Sequence, residues 1–187
     1  MSIVLTRLTR FVGGAWFGAT LLLSSIQANA EADFHLDSIG VRYGVGANSS
    51  SSRFFETRVF AQLATPWTLD LGRDWNIKSR VDFSAGWLGE RDGDNSAIFG
   101  AGPQFVLGHE KIPLSFVIGI EGTGLSHHEF ESKDFGFPFQ FTSHAGLQLD
   151  LGGKVRIAYR YQHMSNAHLS HHNPGLNEYM VCLSYLF

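Results

Sequence analysis

The sequence predicts an all-β protein, specifically an eight-stranded antiparallel up-and-down transmembrane β-barrel. Three observations carry that expectation. The dominant hydrophobic period from Phe34 onward is two, as in strands whose two faces meet different surroundings. Tight connections alternate with longer polar ones along the chain. The opening residues have the three-part layout of an export signal.

The export signal comes first. Arg7 and Arg10 form a positive n-region, Phe11 to Leu23 is mostly apolar, and Ala28-Asn29-Ala30 is an A-x-A cleavage site. Residues 1–30 are therefore expected to be a signal peptide, and residues 31–187 the barrel domain. The signal holds two of the 14 basic residues and none of the 17 acids, so the remainder has 12 basic residues and a net charge of −5. That balance argues against a nucleic-acid partner. Cys182 is the single cysteine, which excludes an intramolecular disulfide and reads as a small apolar strand residue.

Strands follow in order. Ile39, Val41, Tyr43 and Val45 alternate with Gly40, Arg42, Gly44 and Gly46. A second strand spans about 55–63, and a third sets Ile77, Val81, Phe83, Ala85 and Trp87 against Lys78, Arg80, Asp82, Ser84 and Gly86. Five more are expected at about 97–107, 114–122, 137–149, 155–163 and 177–187. Tight turns fall at 70–76, 108–113 and 150–154, and polar loops at 48–52, 91–95, 122–136 and 166–176.

A soluble barrel of the lipid-carrier type would turn its apolar face inward. Here one face carries Arg42, Arg58, Arg80, Asp82, Gln104, Glu121, Gln140, Gln148, Arg156, Arg160 and Gln162, and the other is aliphatic and aromatic. Charges of both signs suit a narrow interior filled by ion pairs and hydrogen bonds, with the apolar face toward lipid. Tyr179, Val181, Leu183, Tyr185 and Phe187 lie in one register and resemble the terminal signature of bacterial outer-membrane barrels. Trp67, Trp75 and Trp87 could supply interface girdles. The expected location is the bacterial outer membrane, with the four polar loops outside the cell.

Parity also singles out a site. In the seventh strand Val155, Ile157, Tyr159 and Tyr161 form the apolar stripe, and His163 continues it, with Ser165 beyond. Asn177 heads the outward stripe of the eighth strand. Polar groups facing lipid are costly without a use, and an imidazole beside a hydroxyl suits a base and a nucleophile. On residues alone, side chains tolerated at headgroup level remain an alternative. His168, His171 and His172 lack accompanying cysteines or paired acids, so no metal site is assigned and no cofactor is expected.

The run His163-Met164-Ser165-Asn166-Ala167, then Asn173-Pro174-Gly175-Leu176-Asn177, then a strand to the last residue, resembles the lipid A 3-O-deacylase (PagL) family. The motif region covers about the last thirty residues, and the signal-plus-barrel layout covers the rest. The resemblance implies a serine esterase on the outside of the barrel, near the outer leaflet, that cuts the ester-linked hydroxyacyl chain at position 3 of lipid A. Ser165 would be the nucleophile and His163 the general base. Asn166, with the backbone N–H groups of Ala167 and His168, would serve the oxyanion, supported by Asn173.

Two positions depart from the family pattern. The acidic triad member falls on Asn177, with Glu178 next to it, so either would complete a Ser-His-(Glu/Asn) triad, Glu178 through a bulge that turns it outward. A second acid of the family's network appears here as Ser143, flanked by His144. The implied partners are lipopolysaccharide and outer-membrane lipid, with a homodimer left open. Arg53, Arg91 and Lys133 are loop cations that are either solvated or available to phosphate. A non-enzymatic structural or adhesive barrel is the alternative reading.

Overall fold

A computed structural model describes residues 34–187. The expected signal peptide lies outside the described residues. Eight strands follow one another in chain order: β1 (His35–Gly46), β2 (Phe54–Gly72), β3 (Trp75–Glu90), β4 (Asn95–His109), β5 (Ile112–Leu125), β6 (Phe139–Asp150), β7 (Val155–Ser165) and β8 (Leu176–Leu186). Each pairs antiparallel with its sequence neighbour, and β1 pairs with β8, from Ser38↔Leu186 to Gly46↔Glu178, so the barrel closes and no edge strand is left. One end carries the tight turns. At the β2–β3 turn Arg73 and Asp74 both take positive φ, as a two-residue hairpin demands. The other end carries the four polar loops, of which 47–53, 126–138 and 166–175 are longer than any of the turns, while 91–94 is as short as the 151–154 turn.

Closure sorts the side chains as the alternation predicts. All eleven polar residues expected on the inner face are buried. Six of them, Arg42, Arg58, Asp82, Gln104, Glu121 and Gln162, are joined in one network. Arg42 reaches Asp82 at 3.2 Å and Glu121 at 3.0 Å, Arg58 reaches Glu56 at 2.6 Å and Glu121 at 3.2 Å, and Gln62 donates to Asp82 at 2.9 Å. Nearer the turn end, Arg156 spans Asp150 and Asp37 while Arg80 joins Asp37. Eight strands leave too little width for bulk water, so these charges neutralise one another. The outer wall is the reverse: Val41, Tyr43, Phe83, Trp87, Phe99, Leu147, Tyr159 and Val181 are all exposed. An exposed apolar belt of this extent is suited to lipid and not to water.

Two regions differ from the expected pattern. β2 runs to 19 residues, well past the expected end near residue 63. The register with β3 shifts between Ala64 and Thr68, where Thr65-Pro66-Trp67 interrupt the period of two. The backbone groups freed there are met by hydroxyls: Ser79 Oγ donates to the Trp67 carbonyl at 2.8 Å and contacts Thr65 Oγ1. Lipid offers no substitute donors, so a bulge on this wall needs its own.

The loop end of the lumen is also not polar. Phe54, Leu88, Ile98, Leu125, Met164 and Leu176 point inward there, and Phe130 and Phe135 of the β5–β6 loop pack onto them. The rings of Phe54, Phe130 and Phe135 meet edge to face at 5.3–5.8 Å. This apolar plug closes the mouth directly behind the last turns of β7 and β8.

Candidate active site

At the loop end of β7 and β8 the ladder pairs His163 with Asn177 and Met164 with Leu176, with no bulge. On the other side, β6 pairs Ser143 with His163 and Phe141 with Ser165. The exposed His163 therefore lies on the outer wall in one row with Ser143 and Asn177, and Ser165 stands in the next row toward the loops. Inward between them point Met164 and Leu176, held in the plug, so the outward residues sit on a backbone anchored from behind.

His163 Nδ1 and Asn177 Oδ1 are 2.8 Å apart. An amide oxygen can only accept, so Nδ1 carries the proton and Nε2 keeps its lone pair. That is the tautomer a general base needs. Asn177 is itself fixed: its N–H donates to Ser51 Oγ at 3.2 Å, and its carbonyl accepts from Ala47 N–H at 2.8 Å. Ser143 Oγ lies 3.5 Å from the His163 carbonyl, a weak contact that leaves it beside the imidazole row without touching the ring nitrogens. Among the described residues the Ser165 hydroxyl has no hydrogen-bond partner, and it is not bonded to His163. Catalytic contacts of this kind commonly tighten only with substrate in place.

Glu178 is not part of this constellation. The bulge that would turn it outward is absent: Gln162↔Glu178 and His163↔Asn177 are successive rows, which sends Glu178 into the lumen. It is fully buried and accepts from Gln162 Nε2 at 2.7 Å. Geometry favours Asn177 as the partner of the imidazole. His144 also points inward, with Nε2 3.5 Å from Arg160.

The expected oxyanion group divides. Asn166 is fully buried and its amide is committed within the loops, donating to the carbonyls of Phe135 at 2.9 Å and His172 at 2.7 Å. Its oxygen accepts from the His168 N–H at 3.0 Å, which removes that donor as well. Asn173 Oδ1 accepts from Asn166 N–H at 3.0 Å. Asn166 and Asn173 thus shape the loop, and they leave neither the Asn166 amide nor the His168 N–H free. Ala167 is different. It is exposed, adopts φ 51°, and among the described residues its N–H has no acceptor. The free donor lies two residues from Ser165.

Of the loop cations, Arg53 pairs with the buried Glu90 at 3.1 Å and donates to the Arg91 carbonyl at 3.0 Å. Lys133 is not a freely solvated surface cation. It is buried, and its Nζ donates to the Gly175 carbonyl at 2.7 Å. Gly175 lies within the Asn173–Asn177 run, and its role shows only in the fold. Its φ is +64°, and a Cβ there would lie 3.0 Å from His163 Cε1. The positive φ and that contact both favour glycine.

Comparison with known proteins bears on family and fold. The sequence model of the lipid A 3-O-deacylase (PagL) family matches residues 55–186, which takes in seven of the strands and the whole site. Lipid A deacylase PagL of Bordetella bronchiseptica is 30% identical over 174 residues, covering 86% of this chain and 89% of the relative. Among solved structures, that of the outer membrane enzyme PagL superposes with a TM-score of 0.70 over 80% of this chain and 99% of its own, at 16% identity. The last of these speaks to the fold, and the first two to descent. By descent, then, the chain belongs to the lipid A 3-O-deacylase (PagL) family.

Proposed function

We propose that this outer-membrane barrel is a serine esterase that removes the ester-linked 3-O hydroxyacyl chain from lipid A. The single observation that carries the reading is the His163–Asn177 hydrogen bond on the outer wall, which leaves Nε2 basic on the face that also bears Ser165. Ser165 Oγ attacks the ester carbonyl carbon while His163 Nε2 takes its proton. The oxyanion that forms is met by the Ala167 N–H. Collapse expels the sugar 3-oxygen, which leaves as the alcohol with the proton from His163. A water then attacks the acyl-serine with His163 again as base, freeing the hydroxy acid and restoring Ser165.

The setting supports a lipid substrate. Below the site the wall carries Tyr161, Tyr159 and Tyr179, with Tyr159 stacked on Tyr179 at 5.9 Å. Acyl chains would lie along this wall, with the sugar at headgroup level under the loops. The same placement puts the reaction in the outer leaflet.

The test is mass spectrometry of lipid A incubated with the refolded protein. Loss of one hydroxyacyl chain is expected from the native sequence, and no loss from Ser165→Ala or His163→Ala, both still heat-modifiable barrels. The expected drop in rate is at least about 1000-fold. Native-level turnover by either variant removes the serine mechanism, and unchanged lipid A with the native protein favours the structural barrel instead.

A further inference from the structure

Lys133 is an unusual residue to find largely buried in a loop. It lies in the β5–β6 connection, is 7% exposed, and places its ammonium 5.7 Å from the Phe54 ring centre and 6.0 Å from that of Phe135. Burial pushes its pKa down, while the buried Glu178 carboxylate opposes that. Among the described residues, the ammonium's one hydrogen bond is to the Gly175 carbonyl. A buried ammonium needs such partners, and aromatic faces with one carbonyl are a costly way to fill space.

The location of that carbonyl gives the arrangement its meaning. The β7–β8 ladder ends at the Met164–Leu176 row, and Gly175 is the next residue out. Its carbonyl is held by Lys133, a residue 42 positions away. Gly175 also borders the edge of His163 that carries Cε1 and Nε2: a Cβ built on it would lie 3.0 Å and 3.8 Å from those atoms. Two residues later, Asn177 holds Nδ1. The segment 175–177 therefore bonds Nδ1 and runs beside the adjoining Cε1–Nε2 edge of the imidazole, and Lys133 holds its outer end. The two loops are joined again where Asn166 donates to the Phe135 carbonyl.

We propose that Lys133 is a positioning residue for the reaction: by holding the Gly175 carbonyl it sets the imidazole edge that takes the proton of Ser165. The inference rests on the serine-esterase reading of this site. It also makes the β5–β6 loop part of the catalytic apparatus, although that loop supplies no reacting group.

The experiment uses the refolded protein with purified lipid A in detergent micelles, measuring kcat and KM for Lys133→Met, Lys133→Arg, Gly175→Ala and the Lys133→Met/Gly175→Ala pair. For Lys133→Met, kcat is expected to fall about 10- to 100-fold with KM within about twofold, because a misplaced base costs rate and not binding. Lys133→Arg, which can still donate to the carbonyl, should recover most of kcat. Gly175→Ala, whose Cβ would press on His163 Cε1, should reproduce the loss, and in that background removing Lys133 should cost little more, since both displace the same segment 175–177 against the imidazole. Unchanged kcat in Lys133→Met, a rise in KM alone, or losses that simply multiply in the pair would each overturn the proposal. If Lys133→Met yields no heat-modifiable barrel, Gly175→Ala decides, because it leaves Lys133 in place: native kcat there overturns the inference. Ser165→Ala run alongside separates the two claims, since activity in that variant would defeat the mechanism itself and not the role of Lys133.

Discussion

The end of the β7–β8 hairpin presents two faces built from interleaved residues of the same backbone. Outward are His163, Ser165 and Asn177; inward are Gln162, Met164, Leu176 and Glu178. The outer set is partly exposed, and among the described residues its Ser165 hydroxyl has no hydrogen-bond partner. The inner set is fully packed, with Met164 and Leu176 in the apolar plug and Gln162 tied to Glu178. Precision on one face is supplied by rigidity on the other, since a strand cannot move one side chain without moving its neighbours. Outer-face substitutions should therefore change rate and spare the fold, while inner-face ones should do the opposite.

After the losses expected for Ser165→Ala and His163→Ala, the largest effect in this comparison belongs to Asn177→Ala. Losing the acceptor on Nδ1 frees the imidazole to take the wrong tautomer, and kcat is expected to fall about 100-fold with the barrel intact. Lipid A deacylation and heat-modifiability measured on one preparation check both halves. A variant of native rate would mean that something other than Asn177 orients His163.

Met164→Ala sharpens the contrast from the inner side. Removing a fully buried thioether from the plug should lower unfolding stability by about 2–4 kcal/mol, read from urea titration in micelles. Any rate loss should follow from the looser backbone. A variant as stable as the native protein would show that the plug does not support the strand ends. Glu178→Gln is expected to leave kcat within about fivefold, because the carboxylate lies on the lumen side, away from the reacting groups. A loss as large as that of Asn177→Ala would restore Glu178 to the triad.

The smallest effect concerns acid. Gly136 N–H donates to Asp134 Oδ1 at 2.6 Å, and this bond holds the carboxyl below its ordinary range. A depressed pKa contributes loop stability that is present above the unfolded value, near about 3.9, and is lost as the pH falls through the folded one. Hydrogen exchange at Gly136, corrected for its intrinsic pH dependence, should show less protection below about pH 4. Protection that does not change across that range would assign the ordering of this loop to its packing alone.

Much of this molecule is legible in its sequence because the strand period is strict. The sorting of Arg42, Asp82 and Glu121 inward follows from parity alone, and so does the outward row of His163 and Asn177. Legibility stops where backbone geometry depends on distant partners. Thr65-Pro66-Trp67 break the alternation, so the extension of β2 beyond them is hidden. Asn166 looks like a free donor in the motif, and only the folded loops show its amide spent on Phe135 and His172. Lys133 reads as a surface cation because its burial depends on how a long loop folds back over the mouth. Glu178 could have turned outward only through a bulge that local residues do not announce.

The filled interior has one further consequence. With ion pairs along its length and aromatic rings stopping its mouth, the cylinder is no conduit, and an amphiphile must arrive and depart sideways, within the plane of the bilayer. Encounter rates would then scale with the two-dimensional crowding of lipids around the wall, not with any concentration in the surrounding water.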